Sequence, residues 1–141
     1  MHENVIVKQK LASPAEKVWK ALTDKAQMKQ WYFDIPDFEL GVHNEFNFYE
    51  PGTAQKFHHH AEILEIIPGK KLKHTWSYPE LSKEKTIVKW QLEEDGDATI
   101  VTLTHKGLEN LHHLGSEFHR ENFEKRWAEI VNVQLRKYVE Y

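Results

Sequence analysis

The chain has 141 residues, of which 29% are charged and 40% hydrophobic, and its formal net charge is −3. This length and composition predict one globular domain with a core of its own. The acidic balance, together with an expected lack of any Lys/Arg cluster on one face, argues against nucleic acid as a main partner. Cysteine does not occur, which excludes disulfides, thiol catalysis and cysteine-ligated zinc.

The sequence also bears on location. Residues 1–10 alternate apolar and charged side chains and do not resemble a signal peptide. No apolar run approaches the roughly 18 residues that a membrane-spanning helix needs. We therefore expect a cytoplasmic protein that does not enter a membrane.

The first part of the chain predicts one strand and two short helices. Residues 4–11 alternate apolar and polar side chains, as a strand does. Ser13 and Pro14 then predict a helix start, with Ser13 as the cap and Pro14 at the first helical position. Asp24 is expected to end this helix or to cap a second one over residues 25–31.

After Pro36 the apolar period changes to two, which predicts strands joined by short turns. We expect a short strand at residues 38–40, a long one at residues 55–67 that bulges near Leu64, and a hairpin at residues 95–96. The side chains expected on the inner face of the strands are Phe46, Phe48, Leu72, His74, Trp76, Tyr78, Val88, Trp90, Leu92, Val101, Leu103 and His105.

The last quarter of the chain predicts a long amphipathic helix. A loop or short turn is expected over residues 107–115, and residues 118–141 contain no Pro or Gly. A period of 3.6 places an apolar stripe on one face of this helix, with Gln134 inside it. The stripe consists of Phe123, Trp127, Ile130, Val131, Leu135 and Tyr138. These elements predict an α+β domain in which a curved antiparallel sheet of about six or seven strands wraps around the C-terminal helix.

Several stretches resemble a known family. Residues 13–24, followed by Gln30 and Trp31, resemble the entry helices of the START-like (SRPBCC) helix-grip superfamily. Residues 61–72, 74–76 and 101–108 are similar to the branch homologous to the C-terminal domain of the activator of heat-shock protein 90 ATPase. The resemblance covers essentially the whole chain, and it implies a helix-grip fold in a single domain spanning residues 1–141.

The inward side chains predict a site for a small molecule. An apolar concavity with a few convergent polar groups is the usual form of such a site, and the resemblance implies a cavity because helix-grip proteins commonly enclose one. In the alternative interpretation the same side chains fill a solid core, with their polar atoms satisfied locally. The candidate cavity residues are Trp31, Phe46, Phe48, His59, His74, Trp76, Tyr78, Trp90, His105, Trp127 and Gln134.

The histidines could indicate a metal site, but their pattern argues against one. A strand sends His59 to one face and its two neighbours to the other, whereas zinc needs three or four convergent ligands. His59 and His74 could still meet if their strands pair in register. Two further histidines, at residues 112–113, are expected to lie in a solvated loop. We expect no metal and no cofactor.

Carboxylates on the strands leave an enzymatic function open. Glu50, Glu62 or Glu65 could form an acid–base dyad with a histidine, and some helix-grip relatives are cyclases or dehydratases that work in this way. No phosphate loop, Ser-centred elbow or HExxH motif is present. We therefore expect no catalytic residues and predict that the protein binds a small hydrophobic or aromatic molecule. The alternatives are a chaperone-interacting module and a small-molecule cyclase or lyase.

Overall fold

The computed structural model describes residues 4–32, 35–49, 58–115 and 118–140. Its centre is a six-stranded antiparallel sheet with the order β1-β6-β5-β4-β3-β2. The strands are β1 (Val5–Leu11), β2 (Glu45–Tyr49), β3 (His58–Ile67), β4 (Lys71–Ser77), β5 (Lys85–Asp95) and β6 (Ala98–Lys106). This α+β architecture confirms the predicted fold class.

The helices pack on the inner face of this sheet. They are α1 (Ala15–Thr23), α2 (Lys25–Trp31), a 3₁₀ helix (Leu108–Leu114) and a C-terminal helix α3, which runs through Arg120–Glu129, Ile130–Leu135 and Arg136–Glu140. None of the helices in the described ranges is long and apolar enough to cross a membrane.

The prediction of α1 and α2 is confirmed, but the start of α1 differs. Asp24 ends α1 and also caps α2, because its side chain accepts a hydrogen bond from the Ala26 N–H at 3.0 Å. Pro14 occupies the cap position of α1, and no side chain caps that end, so the prediction that Ser13 is the cap is wrong. Ser13 is instead buried, and its carbonyl accepts a hydrogen bond from the Thr99 hydroxyl at 2.7 Å. This contact with β6 holds Ser13 against the sheet, away from the helix axis.

The strand pattern agrees with the sequence in its faces and in its irregularities. The predicted inner-face residues are all buried. The register of β3 on β4 shifts between Ile63 and Glu65, which confirms the predicted bulge, and Asp95 pairs with Ala98 across the predicted hairpin. The extension of β3 to residues 55–57 lies outside the described residues.

The short strand predicted at residues 38–40 is wrong. The chain turns just before this segment, over residues 35–38, with the Phe38 N–H donating to the Ile35 carbonyl at 3.1 Å, and residues 38–40 form no regular element. The neighbouring edge of the sheet also has no donor to offer at this point, because the Asn47 N–H donates to the Asp37 carboxylate at 3.0 Å. A side chain therefore occupies the place that a further strand would take.

The C-terminal helix follows the predicted stripe with one shift in phase. Phe123, Trp127, Val131 and Leu135 are buried as expected, but Val139 is buried in place of Tyr138. The reason is the π-helical segment Ile130–Leu135, whose wider turns keep residues four apart on one face. The helix also begins two residues later than predicted, at Arg120.

The segment predicted as a loop at residues 107–115 contains a regular 3₁₀ helix. Leu108 and Leu111 are fully buried and anchor it to the core. His113 is exposed as predicted, but His112 is half-buried and its ring lies 5.4 Å from that of His119. The solvated interpretation of this histidine pair is therefore correct for one residue only.

Candidate functional site

The predicted cavity residues form one continuous aromatic cluster between the sheet and α3. Trp76 on β4 is at its centre, with ring centroids 5.0 Å from His59, 5.4 Å from Phe48, 5.6 Å from His105 and 5.2 Å from Trp127. Gln134 is half-buried. The fully or almost fully buried candidates are Trp31, Phe46, Phe48, His59, His74, Trp76, Tyr78, Trp90, His105 and Trp127.

A chain of buried hydrogen bonds crosses this cluster from α3 to β4. The Trp127 indole N–H donates to Nδ1 of His105 at 3.0 Å. The hydroxyl of Thr86 donates to the Trp76 carbonyl at 2.7 Å, so its oxygen accepts the Nε2–H of His105, also at 2.7 Å. The imidazole is thereby held as the neutral Nε2–H tautomer. Burial lowers the pKa of His105 to about 3, which agrees with a ring that donates once and accepts once.

His59 and His74, which the sequence suggested could meet, lie on different sides of Trp76. The strand register places His74 opposite Ile63, whereas the His59 ring lies 4.8 Å from the ring of Tyr78. Both imidazoles contact Trp76, with centroids 5.0 and 6.5 Å away. The two histidines are therefore not opposite each other in the register of β3 and β4.

His74 borders a small cavity beneath α2. The cavity has a volume of about 10 Å³, which is room for one water molecule. It is lined by Leu22, Met28, Tyr32, Phe38, Phe46, Leu72, His74 and Trp90. Nδ1 of His74 is 2.8 Å from the Thr75 carbonyl, which can only accept, so Nδ1 carries the proton and Nε2 is left as an acceptor. Burial lowers the pKa of His74 to about 4, so the ring is neutral near pH 7.

The ring of Tyr32 closes this cavity and lies among four other aromatic rings. Its centroid is 5.0 Å from Trp31, 6.5 Å from Phe48, 6.3 Å from Trp90 and 6.5 Å from Trp127. We call these four residues the aromatic cage. Tyr32 as a whole residue is half-buried, whereas its hydroxyl lies in buried surroundings. Burial raises the pKa of this phenol, which therefore stays protonated.

Tyr32 was not among the residues predicted from the sequence, although all four cage residues were. It follows Trp31 at the end of α2, and neighbouring residues of a helix point in different directions. The backbone leaves the helical region at Tyr32 (φ −118°, ψ −112°), and the phenol then stacks on the Trp31 indole. Helical periodicity cannot predict such a change of backbone direction. A second large aromatic residue at the end of a helix is nevertheless a signal that could have identified Tyr32 as a candidate.

The histidine–carboxylate pairs lie on the outer face of the sheet, away from the cluster. They are His43 with Glu62 (3.2 Å), His58 with Glu80 (2.9 Å) and His60 with Glu45 (2.7 Å). Glu65 pairs with Lys71 at 2.8 Å, and Glu50 lies outside the described residues. Within the described ranges no three His, Asp or Glu side chains are placed to hold a metal ion. Among the described residues, the cavity lining contains no carboxylate, so none of them forms the acid–base dyad considered from the sequence there.

The sequence profile of the family described as "Activator of Hsp90 ATPase homolog 1-like protein" matches residues 12–140. The chain belongs to this family. The resemblance found in the sequence is thus confirmed. Among curated proteins, none matches the sequence.

Solved structures place the domain in the same fold. Protein CV1439 from Chromobacterium violaceum superposes with a TM-score of 0.81 at 17% identity, over 99% of this chain and 98% of that one. The Aha1 dimer from Colwellia psychrerythraea gives 0.73 at 23% identity, over 97% and 96%. DynU16, from the dynemicin biosynthetic locus, gives a TM-score of 0.79 at 21% identity. The match covers 98% of this chain but only 47% of DynU16. At these identities the likeness concerns the fold alone.

Gln134 of this family member has a partner within the chain. Its side-chain amide donates to the Trp31 carbonyl at 2.8 Å and so ties α3 to the end of α2. That carbonyl is among the last of its helix, which have no partner inside the helix. Whether Gln134 also contacts a ligand stays a prediction.

We expect Gln134→Leu to lower the free energy of unfolding by about 1–3 kcal/mol, because the Trp31 carbonyl loses its donor in a half-buried place. Urea unfolding measures this change. Lys137→Leu, on an exposed position of the same helix, is the control and should stay within about 0.5 kcal/mol of the parent. A Gln134→Leu protein as stable as the parent would show that the hydrogen bond adds nothing.

Proposed function

We propose that this domain binds a neutral aromatic molecule in the aromatic cage, where the ligand ring takes the place of the Tyr32 ring. The observation that carries the proposal is the position of Tyr32. The ring of Tyr32, a half-buried residue at a helix end, lies among four buried aromatic rings, next to a cavity too small for any ligand but water. Outward rotation of Tyr32 would join the space of its own ring to that cavity.

The polar groups beside the cage support a particular ligand chemistry. His74 borders the cavity as a neutral ring whose Nε2 is an acceptor. A ligand with one hydroxyl or N–H donor on an aromatic ring fits this arrangement, since its ring replaces the phenol and its donor satisfies the imidazole. An anionic ligand fits poorly, because no described residue of the lining carries a positive charge.

The geometry favours binding over catalysis. A cyclase or lyase needs a positioned acid or base near its substrate, and the described residues of the lining offer one neutral imidazole and one phenol of raised pKa. The histidine–carboxylate pairs, which could exchange protons, are on the other face of the sheet. Binding of a protein partner, with a chaperone as one possibility, is the second candidate function; it is favoured by Lys71, Lys73, Lys89 and Lys106, which line one groove on the outer face of the sheet.

The test is calorimetric titration with 2-naphthol, a neutral aromatic molecule with one hydroxyl. We expect the parent to bind it and Tyr32→Ala to bind it about tenfold more tightly, because the ligand no longer displaces a ring. Tyr138→Ala, which removes a half-buried tyrosine of α3 outside the cage, is the matched control and should leave the affinity unchanged.

Two further measurements separate this proposal from simple cavity filling. Naphthalene, which lacks the hydroxyl, should bind the parent more weakly than 2-naphthol does. In His74→Phe, which has no acceptor for the hydroxyl, the two molecules should bind with equal affinity. If the parent binds neither molecule while Tyr32→Ala binds both, the cage is only a packing site for Tyr32 and the proposal fails.

A further inference from the structure

Four lysines converge on the outer face of the sheet, on the side away from the aromatic cluster. Lys71 and Lys73 come from β4, Lys89 from β5 and Lys106 from β6. Together with Ile87 and Thr104 they line a shallow groove of about 140 Å³, which we call the lysine groove. The expectation that no Lys/Arg cluster lies on one face is therefore wrong, since the strand order brings together lysines up to 35 positions apart in the sequence.

The register forces these positive charges together. Lys73 lies directly opposite Lys89, and Lys106 lies opposite Ile87, one pleat further along β5. Like charges placed opposite each other destabilise a sheet. Burial, followed by repulsion from Lys106, Lys71 and Lys73, lowers the pKa of the Lys89 amine. The fold therefore keeps a repulsive arrangement in a protein whose net charge is −3.

The compensation within the chain is partial. Glu65, on β3, forms an ion pair with Lys71 at 2.8 Å and lies opposite Lys73 of β4. Three of the four lysines are half-buried, and the amine of Lys89 is partly desolvated, so it gains more from a partner charge than a fully exposed amine does. An anionic partner with several spaced charges would remove the repulsion.

The chemistry of the groove distinguishes between anionic partners. The outward residues of β4, β5 and β6 include no arginine and no aromatic residue. Nucleic acid sites rely on arginine forks and on aromatic rings that stack on bases. The lysine amines of the groove instead match carboxylates, which need only a nearby point charge, and Ile87 offers apolar contact.

We propose that the lysine groove docks an acidic segment of another protein, with carboxylates of Asp or Glu beside Lys73, Lys89 and Lys106. This surface is separate from the aromatic cage, so a bound ligand and a bound protein would occupy opposite faces of the sheet. The proposal does not depend on what the interior holds.

The experiment uses the whole chain and a fluorescein-labelled peptide of eight glutamates, with a peptide of eight glutamines as the uncharged probe. We expect fluorescence anisotropy to report binding of the acidic peptide at about 50 mM salt and its loss at about 500 mM. Lys73→Gln/Lys89→Gln should weaken this binding about tenfold. The same double variant should unfold at no lower temperature than the parent, because the repulsion between the two amines is gone.

The matched control is Lys17→Gln/Lys125→Gln, which removes two exposed lysines elsewhere and changes the net charge equally. It should bind the acidic peptide as the parent does. The proposal is overturned if the acidic peptide binds no better than the glutamine peptide, or if both double variants weaken binding alike. Tighter binding of an eight-nucleotide thymidine strand, with the same dependence on Lys73 and Lys89, would identify the groove as a nucleic-acid site instead. Tyr32→Ala should leave peptide affinity unchanged, which separates this test from that of the aromatic cage.

Discussion

Replacing Trp127 with alanine is expected to lower the free energy of unfolding by about 3–5 kcal/mol. The indole is 2% exposed and lies at the middle of α3, with its ring 5.2 Å from Trp76 and 5.7 Å from Trp90. Its removal leaves a void at the centre of the cluster and deprives His105 of a donor. Against a total stability of about 5–15 kcal/mol, such a loss brings the protein close to unfolding at 37 °C.

Urea unfolding followed by circular dichroism measures the change. Trp127→Phe isolates the hydrogen bond, since it keeps an aromatic ring in place but leaves Nδ1 of His105 buried without its donor, at a cost of about 1–3 kcal/mol. Val133→Ala, at a 49% exposed position of the same helix, should change stability by no more than about 0.5 kcal/mol. Equal losses for Trp127→Ala and Val133→Ala would contradict a packed interior centred on the indole.

The fold was largely predictable because its signals are local. Strand faces follow from alternation, which is a property of a few consecutive residues, and the inner faces of β4 to β6 were predicted residue by residue. The errors arise where a contact with a residue outside the local segment determines the local structure. Ser13 lies one residue before the cap position, where its carbonyl accepts a hydrogen bond from Thr99, and Asp37 binds the edge of β2 beside the missing strand at residues 38–40.

Only the identity of most residues in the candidate site could be predicted, not their arrangement. Sequence patterns identified which side chains turn inward, but not how tightly they pack. The cavity volume of about 10 Å³ depends on the exact approach of α2 to the sheet, which no periodicity encodes. Gln134 finds its partner 103 positions away, and the position of Tyr32 follows from one irregular residue of backbone.

The lysine groove depends on strand order and register, which the sequence pattern does not encode. Each of its lysines is unremarkable in sequence, because alternation along a strand predicts a polar outer residue. Only the order β6-β5-β4 and the register of these strands place Lys106, Lys89 and Lys73 side by side. Surface sites of a sheet are thus harder to derive than its core, since hydrophobic patterns constrain the inner face alone.

Acidification from pH 7 to pH 5 is expected to destabilise the protein by roughly 4 kcal/mol, through His74 and His105. Their pKa values in the folded protein, about 4 and about 3, lie below the value of about 6.5 in an unfolded chain. Below pH 6.5 the unfolded chain therefore binds protons at His74 and His105, whereas the folded protein leaves both imidazoles neutral. Each contributes about 1.4 kcal/mol per pH unit, so stability falls as the pH falls.

Urea unfolding at intervals between pH 7.5 and pH 5 tests this slope. Carboxylates of lowered pKa, such as Asp37 and Glu140, act in the same direction, but only near and below their unfolded values of about 4. His105→Gln retains an acceptor for Trp127 and a donor for Thr86 but cannot titrate, so it should remove about half of the slope. His113→Gln, at an exposed position of the 3₁₀ helix, should leave the slope as it is. If His105→Gln keeps the full slope, protons enter the unfolded chain elsewhere and the neutral imidazole at the centre of the cluster is not what limits stability in acid.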